Sequence, residues 1–238
     1  MKKLSTRPGY KSLQMHESKA REEICRVGKS LFDRGYVHAC AGNISVRLDD
    51  GFLITPTDAC LGFLDPAALP KLNHDGVHIS GDRPSKTILL HRQIYRAART
   101  FDANTACVIH THSKACVALS LNGSVAAELL PALTPYFVMK VGHVPLIPYH
   151  RPGAQASADL VEAAITAYGQ RRRPIRSVML ERLGPNVWHD TPAAAMATLE
   201  ELEETAALWL ACQLSADAPE PLTDPQIAEL RDVFGARW

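Results

Sequence analysis

Between Glu17 and Arg34, apolar residues fall at Ile24, Val27, Leu31 and Phe32, close to the i, i+3, i+7 spacing of one helical face, and Gly35 follows as a C-cap. The pattern then changes period. NISVRL and GFLITP alternate or run apolar around Asp49-Asp50-Gly51, which predicts a β-hairpin. KTILLHRQIYRAAR returns to a helical period, with Ile88, Leu89, His91, Ile94 and Tyr95 marking a face, Ser85 placed to cap the first turn, and His91 directed inward. TACVIH is a short strand that runs straight into a helix over HSKACVALSL. Beyond it, VGHVPLIPY is extended, Ala158 to Tyr168 is helical, and RSVMLERLGPNVWHD predicts a hairpin around Gly184-Pro185. A long helix from Pro192 to Leu214 follows, capped by Thr191, with Glu200, Glu201, Glu203 and Glu204 read as a solvated face. The tail, SADAPEPLTDPQIAELRDVFGARW, is Pro-rich and then weakly helical.

Short strands flanked by helices, without regular βαβ alternation, predict a three-layer α/β/α or an α+β domain with a largely antiparallel sheet. At 238 residues and 46% apolar content the chain can bury one sizeable core, and a single domain is expected. The near balance of 26 Lys plus Arg against 25 Asp plus Glu argues against nucleic-acid or anionic-membrane partners and for a small-molecule partner. No run of apolar residues is long enough to span a membrane, and MKKLSTRPGYKS has no apolar segment behind its basic flank, so the expected location is cytoplasmic. The six cysteines are scattered without a CxxC pair, as reduced core thiols would be. No GxGxxG or GxxxxGKS stretch supports a dinucleotide or P-loop site.

Candidate chemistry begins at VIHTHSKA. Alternate residues of a strand share a face, so His110 and His112 converge if the strand persists through Thr111, and two imidazoles suit zinc and its neighbours. Three polar clusters lie upstream, AGNISVR, LITPTDACLG and RPSKTILLH. They place Asn43, Ser45, Thr57, Ser85 and Lys86 at strand edges or helix starts, where hydroxyls and free N–H groups can hold a phosphate.

In this order, GNIS, ITPT, PS before a helix carrying a His, HTH, and a Tyr before a Pro-punctuated IPY stretch resemble the class II aldolase and adducin head family, over residues from about 20 to 212. The resemblance implies an α/β/α sandwich with a largely antiparallel central sheet, covering 1–238 with a C-terminal tail from 215 to 238. It implies a homotetramer with sites at subunit interfaces, a divalent metal, most readily Zn2+, and sugar-phosphate chemistry through an enediolate stabilised on that metal. By position it makes Asn43, Thr57 and Ser85 phosphate-binding residues, His110 and His112 metal ligands, and Tyr136 the proton donor.

The departures are as informative. Where the family's aldolases carry a Glu four residues before the helix His, this chain has Thr87, with Lys86 beside it; where they carry a third His, it has Leu183; where they carry a Gly near the phosphate, it has Asp58. Retro-aldol cleavage needs a base to take a hydroxyl proton, whereas a β-keto acid is already ionised and needs none. Removing a carboxylate also removes repulsion of a substrate carboxylate, about 4 kcal/mol at about 4 Å and an effective dielectric near 20. RPSKT, TPTDACLGFL, VMKVGHVPLIPYHRPG and MLERLG are similar to a branch of the family that decarboxylates a phosphorylated keto sugar acid to dihydroxyacetone phosphate and carbon dioxide. Lys86 and Thr87 then face the departing carboxylate, with Lys86 also available to the phosphate, and Glu181 is the expected third metal ligand, with His150 and His143 as competitors. An ordinary sugar-phosphate aldolase or epimerase, and a non-catalytic module like the adducin head, are the rival readings.

Overall fold

A computed structural model describes residues 15–121, 127–213 and 219–238. The N-terminal stretch MKKLSTRPGYKS and the expected helix end at Leu214 lie outside the described residues. Eight strands form one sheet: β1 Asn43–Leu48, β2 Gly51–Ile54, β3 Lys71–Leu72, β4 His78–Ser80, β5 Cys107–His110, β6 Leu146–Ile147, β7 Ser177–Leu180 and β8 Gly184–His189. Their spatial order is β4-β3-β2-β1-β5-β8-β7-β6, and every pairing except β6 with β7 is antiparallel. The helices are α1 Glu17–Asp33, α2 Ile88–Ala98, α3 Lys114–Ser120, α4 Gln155–Gln170, α5 Pro192–Cys212 and α6 Asp224–Phe234.

Period-two alternation divides the sheet's side chains between two cores. Ile44, Val46, Cys107, Ile109 and Val187 face α1, α3 and α5. Ile54, Val108, Val178 and Trp188 face α2 and α4. The sheet is therefore the middle of three layers, as the sequence pattern and the resemblance predict. Among the described residues, no helix is long and apolar enough to cross a membrane.

Three local expectations need correction. α2 starts at Ile88 and its N-cap is Thr87, which makes no side-chain cap bond; Ser85 lies two residues earlier, its Oγ 2.8 Å from the Thr87 hydroxyl and accepting from Thr87 N–H at 3.4 Å, so it serves the residue before the helix and not the first turn. The β7–β8 turn is Glu181-Arg182-Leu183, with Arg182 at φ +65°, and Gly184-Pro185 already belong to β8. The glutamates of α5 are not one solvated face. Glu203 is buried and accepts from the N–H groups of Ala115 (2.7 Å) and Cys116 (3.0 Å), while Glu200 pairs with Arg34 and Glu201 lies against Thr134 and Thr205. Periodicity cannot see that an acidic side chain is aimed at another helix's free N–H groups.

The tail folds back on its own chain. α6 opens with a capping box at Thr223 and Gln226 and buries Ile227 and Leu230 against Ala132 and Val138. Trp238 then stacks on His143 with ring centroids 4.3 Å apart, and Arg237 pairs with Asp102 at 3.1 Å.

Candidate active site

β1, β5 and β8 are neighbours, and their register sets Asn43 opposite His110 and His110 opposite Asn186. Directly opposed residues of antiparallel strands share a face, so the three side chains form one buried polar row across the sheet. The face is that of α2: Ser45, two residues along β1, lies 2.8 Å from both His91 Nδ1 and the Tyr95 hydroxyl.

The hydrogen bonds determine where the ring protons sit. His110 Nδ1 lies 3.0 Å from the Pro185 carbonyl, which can only accept, so Nδ1 donates and the lone pair is on Nε2. On α2 the same logic runs through two hydroxyls. Tyr95 gives its one proton to the Ser45 carbonyl at 2.9 Å, so it accepts from Ser45 Oγ, which in turn accepts from His91 Nδ1–H. His91 Nε2 is thus a second buried lone pair, and it has no partner among the described residues. Asn43 Oδ1 and both polar atoms of the Asn186 side chain are likewise buried and unpartnered. Such atoms are costly unless something polar completes them.

These imidazoles are neutral. Burial, followed by the neighbouring His112, pulls the His110 pKa down to about 4. Burial, with a smaller contribution from His110, pulls His91 to about 3. His112 is also lowered, by burial and then by His38. The His110 and His112 rings stand edge to face with centroids 5.1 Å apart. β5 ends at His110, so strand alternation does not carry His112 into place as the sequence reading supposed. What does is the packing around the HTH segment. Thr111 N–H donates to the Pro185 carbonyl at 3.3 Å, and Glu203 holds the first N–H groups of α3 immediately after Ser113. Gly184 lies so close that an added Cβ would overlap the Thr111 carbonyl oxygen, and at Gly42 it would press on the His110 carbonyl.

The hydroxyl clusters meet beside the row. Thr55 Oγ1 accepts from Ile44 N–H at 3.2 Å, Ser85 N–H donates to the Thr55 carbonyl at 3.3 Å, and Thr57 N–H donates to the Arg83 carbonyl at 2.9 Å. The 55–57 and 83–87 segments are therefore stitched together next to Asn43, with Thr57, Ser85 and Thr87 half-buried and Lys86 exposed. Asp58 sits at φ +57° with its side chain exposed, so it adopts the left-handed backbone a glycine would supply and turns its charge to solvent.

Other expected residues stand apart. Tyr136 precedes a π-helical turn, Phe137–Val141, and is 62% exposed. Glu181 lies in the β7–β8 turn, so the same-face argument from Leu183 fails; its carboxylate accepts from Tyr149 N–H at 2.8 Å and lies 3.6 Å from Arg182. Leu183 packs against the α2–α4 core. His143 is engaged by Glu128 at 2.9 Å, and His150 is half-buried. Among the described residues no group of three His, Cys, Asp or Glu side chains is gathered in ligating position, so Glu181, His143 and His150 do not complete a metal site with His110 and His112 within one chain. Two neutral imidazoles, each keeping a ring nitrogen free of a proton, fit a zinc-type ion, and one chain brings together those two.

The sequence reading missed Asn186, His38 and Glu203. An Asn inside the otherwise apolar PNVW run was a legible signal for the first. His38, whose ring lies 6.3 Å from that of His112, follows α1 in a loop and has no period to flag it.

Residues 22–210 match the family model described as Class II Aldolase and Adducin N-terminal domain. A curated relative from Cupriavidus necator, named 3-oxo-tetronate 4-phosphate decarboxylase, is 55% identical over 225 residues, covering 93% of this chain and 99% of the relative. One of the same name from Escherichia coli is 42% identical, covering 90% and 96%. The crystal structure of YgbL, a putative aldolase/epimerase/decarboxylase from Escherichia coli, superimposes with a TM-score of 0.80 at 40% identity, covering 90% of this chain and 99% of that one.

Proposed function

Because the chain belongs to the class II aldolase and adducin N-terminal domain family, we propose that it is a metal-dependent decarboxylase converting a 3-oxo-tetronate 4-phosphate to dihydroxyacetone phosphate and carbon dioxide. Curated relatives carrying that name cover nearly the whole chain. The observation that carries the reading is a pair of neutral imidazoles, His110 and His112, with no carboxylate grouped with them among the described residues and Thr87 engaged by Ser85. Such a site lacks the base that retro-aldol cleavage requires and keeps what loss of carbon dioxide requires.

His110 and His112 are the residues that would hold the cation. When bound, a divalent ion, with Zn2+ the best match to imidazole nitrogen, supplies Lewis-acid stabilisation of the negative charge that develops as the carboxylate departs. Asn43, Thr57, Ser85 and Lys86 bind the phosphate and so fix the substrate's orientation. Thr87 leaves the departing carboxylate unopposed, and Lys86 is long enough to steer it. The C1–C2 bond breaks, its electron pair passes towards the C3 oxygen, and Tyr136 returns a proton to C2. Tyr136 is exposed on its own chain, which suits delivery to a neighbouring copy's site in a homotetramer with sites at subunit boundaries.

The test is direct: the purified protein, with and without Zn2+, is given the synthetic keto acid phosphate, and released carbon dioxide and dihydroxyacetone phosphate are measured. Stoichiometric, metal-dependent release supports the proposal. Aldehyde release from a sugar phosphate without decarboxylation would favour the aldolase reading, and a protein that binds no metal and turns over nothing would favour a binding module.

A further inference from the structure

At the opposite end of the β1–α2 face lies a cavity of about 510 Å3 that the proposed reaction does not use. Along β1 the residues sharing this face are Asn43, Ser45 and Arg47; along α2 the stripe is His91, Tyr95 and Arg99 at i, i+4, i+8. The two rows run side by side, polar and uncharged at the catalytic end and cationic at the other. Arg47 is four residues from Asn43, roughly 13 Å at the usual strand rise, so the cavity is separate from the site of the reaction.

Four guanidinium groups line it, those of Arg47, Arg92, Arg96 and Arg99. Glu162 neutralises Arg96 at 2.6 Å. The other three have no carboxylate partner among the described residues. Arg92 is instead tied to the His74 carbonyl at 2.8 Å and Arg99 to the Thr105 carbonyl at 3.1 Å. A carbonyl fixes a guanidinium in place without cancelling its charge and leaves its remaining donors free. Arg99 feels the consequence, its pKa lowered by burial and then by the like charge of Arg47. The floor is firm, since Phe52 stacks on Tyr95 at 5.5 Å and meets His74 edge-on at 5.6 Å. The volume lies within the roughly 300–1,000 Å3 typical of small-molecule sites.

We propose that this cavity is a second anion site, with Arg47, Arg92 and Arg99 binding the dianionic phosphate of a small phosphorylated metabolite. Three cations around one concavity, two of them held by carbonyls, match the charge and the multiple acceptor oxygens of a phosphomonoester, and guanidinium is the group best shaped for it.

Inorganic phosphate is the probe, titrated calorimetrically into the metal-loaded full-length protein. An Asn43→Ala/Ser85→Ala background removes two of the four proposed catalytic phosphate contacts and so weakens that site, and the arginine changes made within it report on the second site independently of the decarboxylase reading. Saturable binding is expected to persist in that background and to weaken by about tenfold or more on adding Arg47→Gln and Arg99→Gln. In the otherwise native chain, Arg47→Gln/Arg99→Gln is expected to keep its oligomeric state. Circular dichroism checks folding, and Arg47→Gln alone, at the arginine whose guanidinium makes no hydrogen bond among the described residues, replaces the double change if that fails to fold. No binding in the Asn43→Ala/Ser85→Ala protein, or binding indifferent to the arginine changes, would overturn the proposal. Dissociation of the oligomer by Arg47→Gln/Arg99→Gln would overturn it too, by assigning these arginines to an acidic patch on a second copy.

Discussion

One face of β1 and α2 is built two ways. At its Asn43 end the polar groups are buried, uncharged and short of partners; at its Arg47 end they are charged and half-buried or exposed, with Arg92 and Arg99 tied to carbonyls. Depth accounts for the difference. An imidazole under the sheet's cover cannot hold a proton at neutral pH, because desolvation penalises the cation, and so it keeps a lone pair for an electrophile. A guanidinium at the rim retains its charge because water still reaches it. Ser45 and Tyr95 sit between the two ends and set the His91 tautomer through hydrogen bonds alone.

The largest effect should come from the deep end. Replacing both His110 and His112 by Ala is expected to lower kcat by at least about a thousandfold and to abolish stoichiometric Zn2+ binding while the fold survives, as read by turnover, metal analysis and circular dichroism. Turnover at the original rate would end the comparison, because the buried lone pairs would then be idle.

Next is the backbone contact that places those rings. Gly184→Ala must push the Thr111 carbonyl away, and a displacement near 1 Å should cost on the order of a hundredfold in kcat with a smaller change in KM. An unchanged kcat would show that the HTH segment tolerates movement.

Glu203 tests whether that segment is held from the α5 side. Glu203→Ala leaves two N–H groups of α3 without acceptors and should cost about 2–3 kcal/mol of stability, measured by urea unfolding. A loss under about 0.5 kcal/mol would return Glu203 to an ordinary helix surface.

The neutral histidines also set a pH signature for the metal-free protein. Their folded pKa values, about 4 for His110 and about 3 for His91, lie below the unfolded value near 6.5, so the unfolded chain binds more protons across that interval. Stability is therefore expected to be complete above about pH 6.5 and to fall steadily as the pH drops towards 4, by an amount on the order of a few kcal/mol. A flat stability profile between pH 6.5 and 4.5 would mean these rings are not desolvated.

The smallest effect belongs to the rim. Arg47→Gln should change stability by less than about 0.5 kcal/mol in phosphate-free buffer, since the guanidinium has no side-chain partner among the described residues. A larger loss there would show that the charge is structural.

Local chemistry written into consecutive residues was legible without coordinates. The two strands around Asp49-Asp50-Gly51, the Thr191 cap and the antiparallel sheet between helical layers follow from side-chain period and turn chemistry, which act over a few residues. The HTH pair and the hydroxyl clusters could be picked out as candidates in the same way, because paired imidazoles at a strand end and hydroxyls at strand edges and helix starts are groups able to hold a cation or a phosphate. What needed the folded chain was every relation between distant segments. Asn186 joins His110 only through the β5–β8 register, Glu203 reaches α3 from the far end of the chain, and Glu181 is turned away because its presumed strand position is a turn. Period specifies which face a residue occupies. Packing decides what it meets there, because the free energy of burying or leaving unpaired a polar group depends on neighbours that the chain brings together only once it has folded.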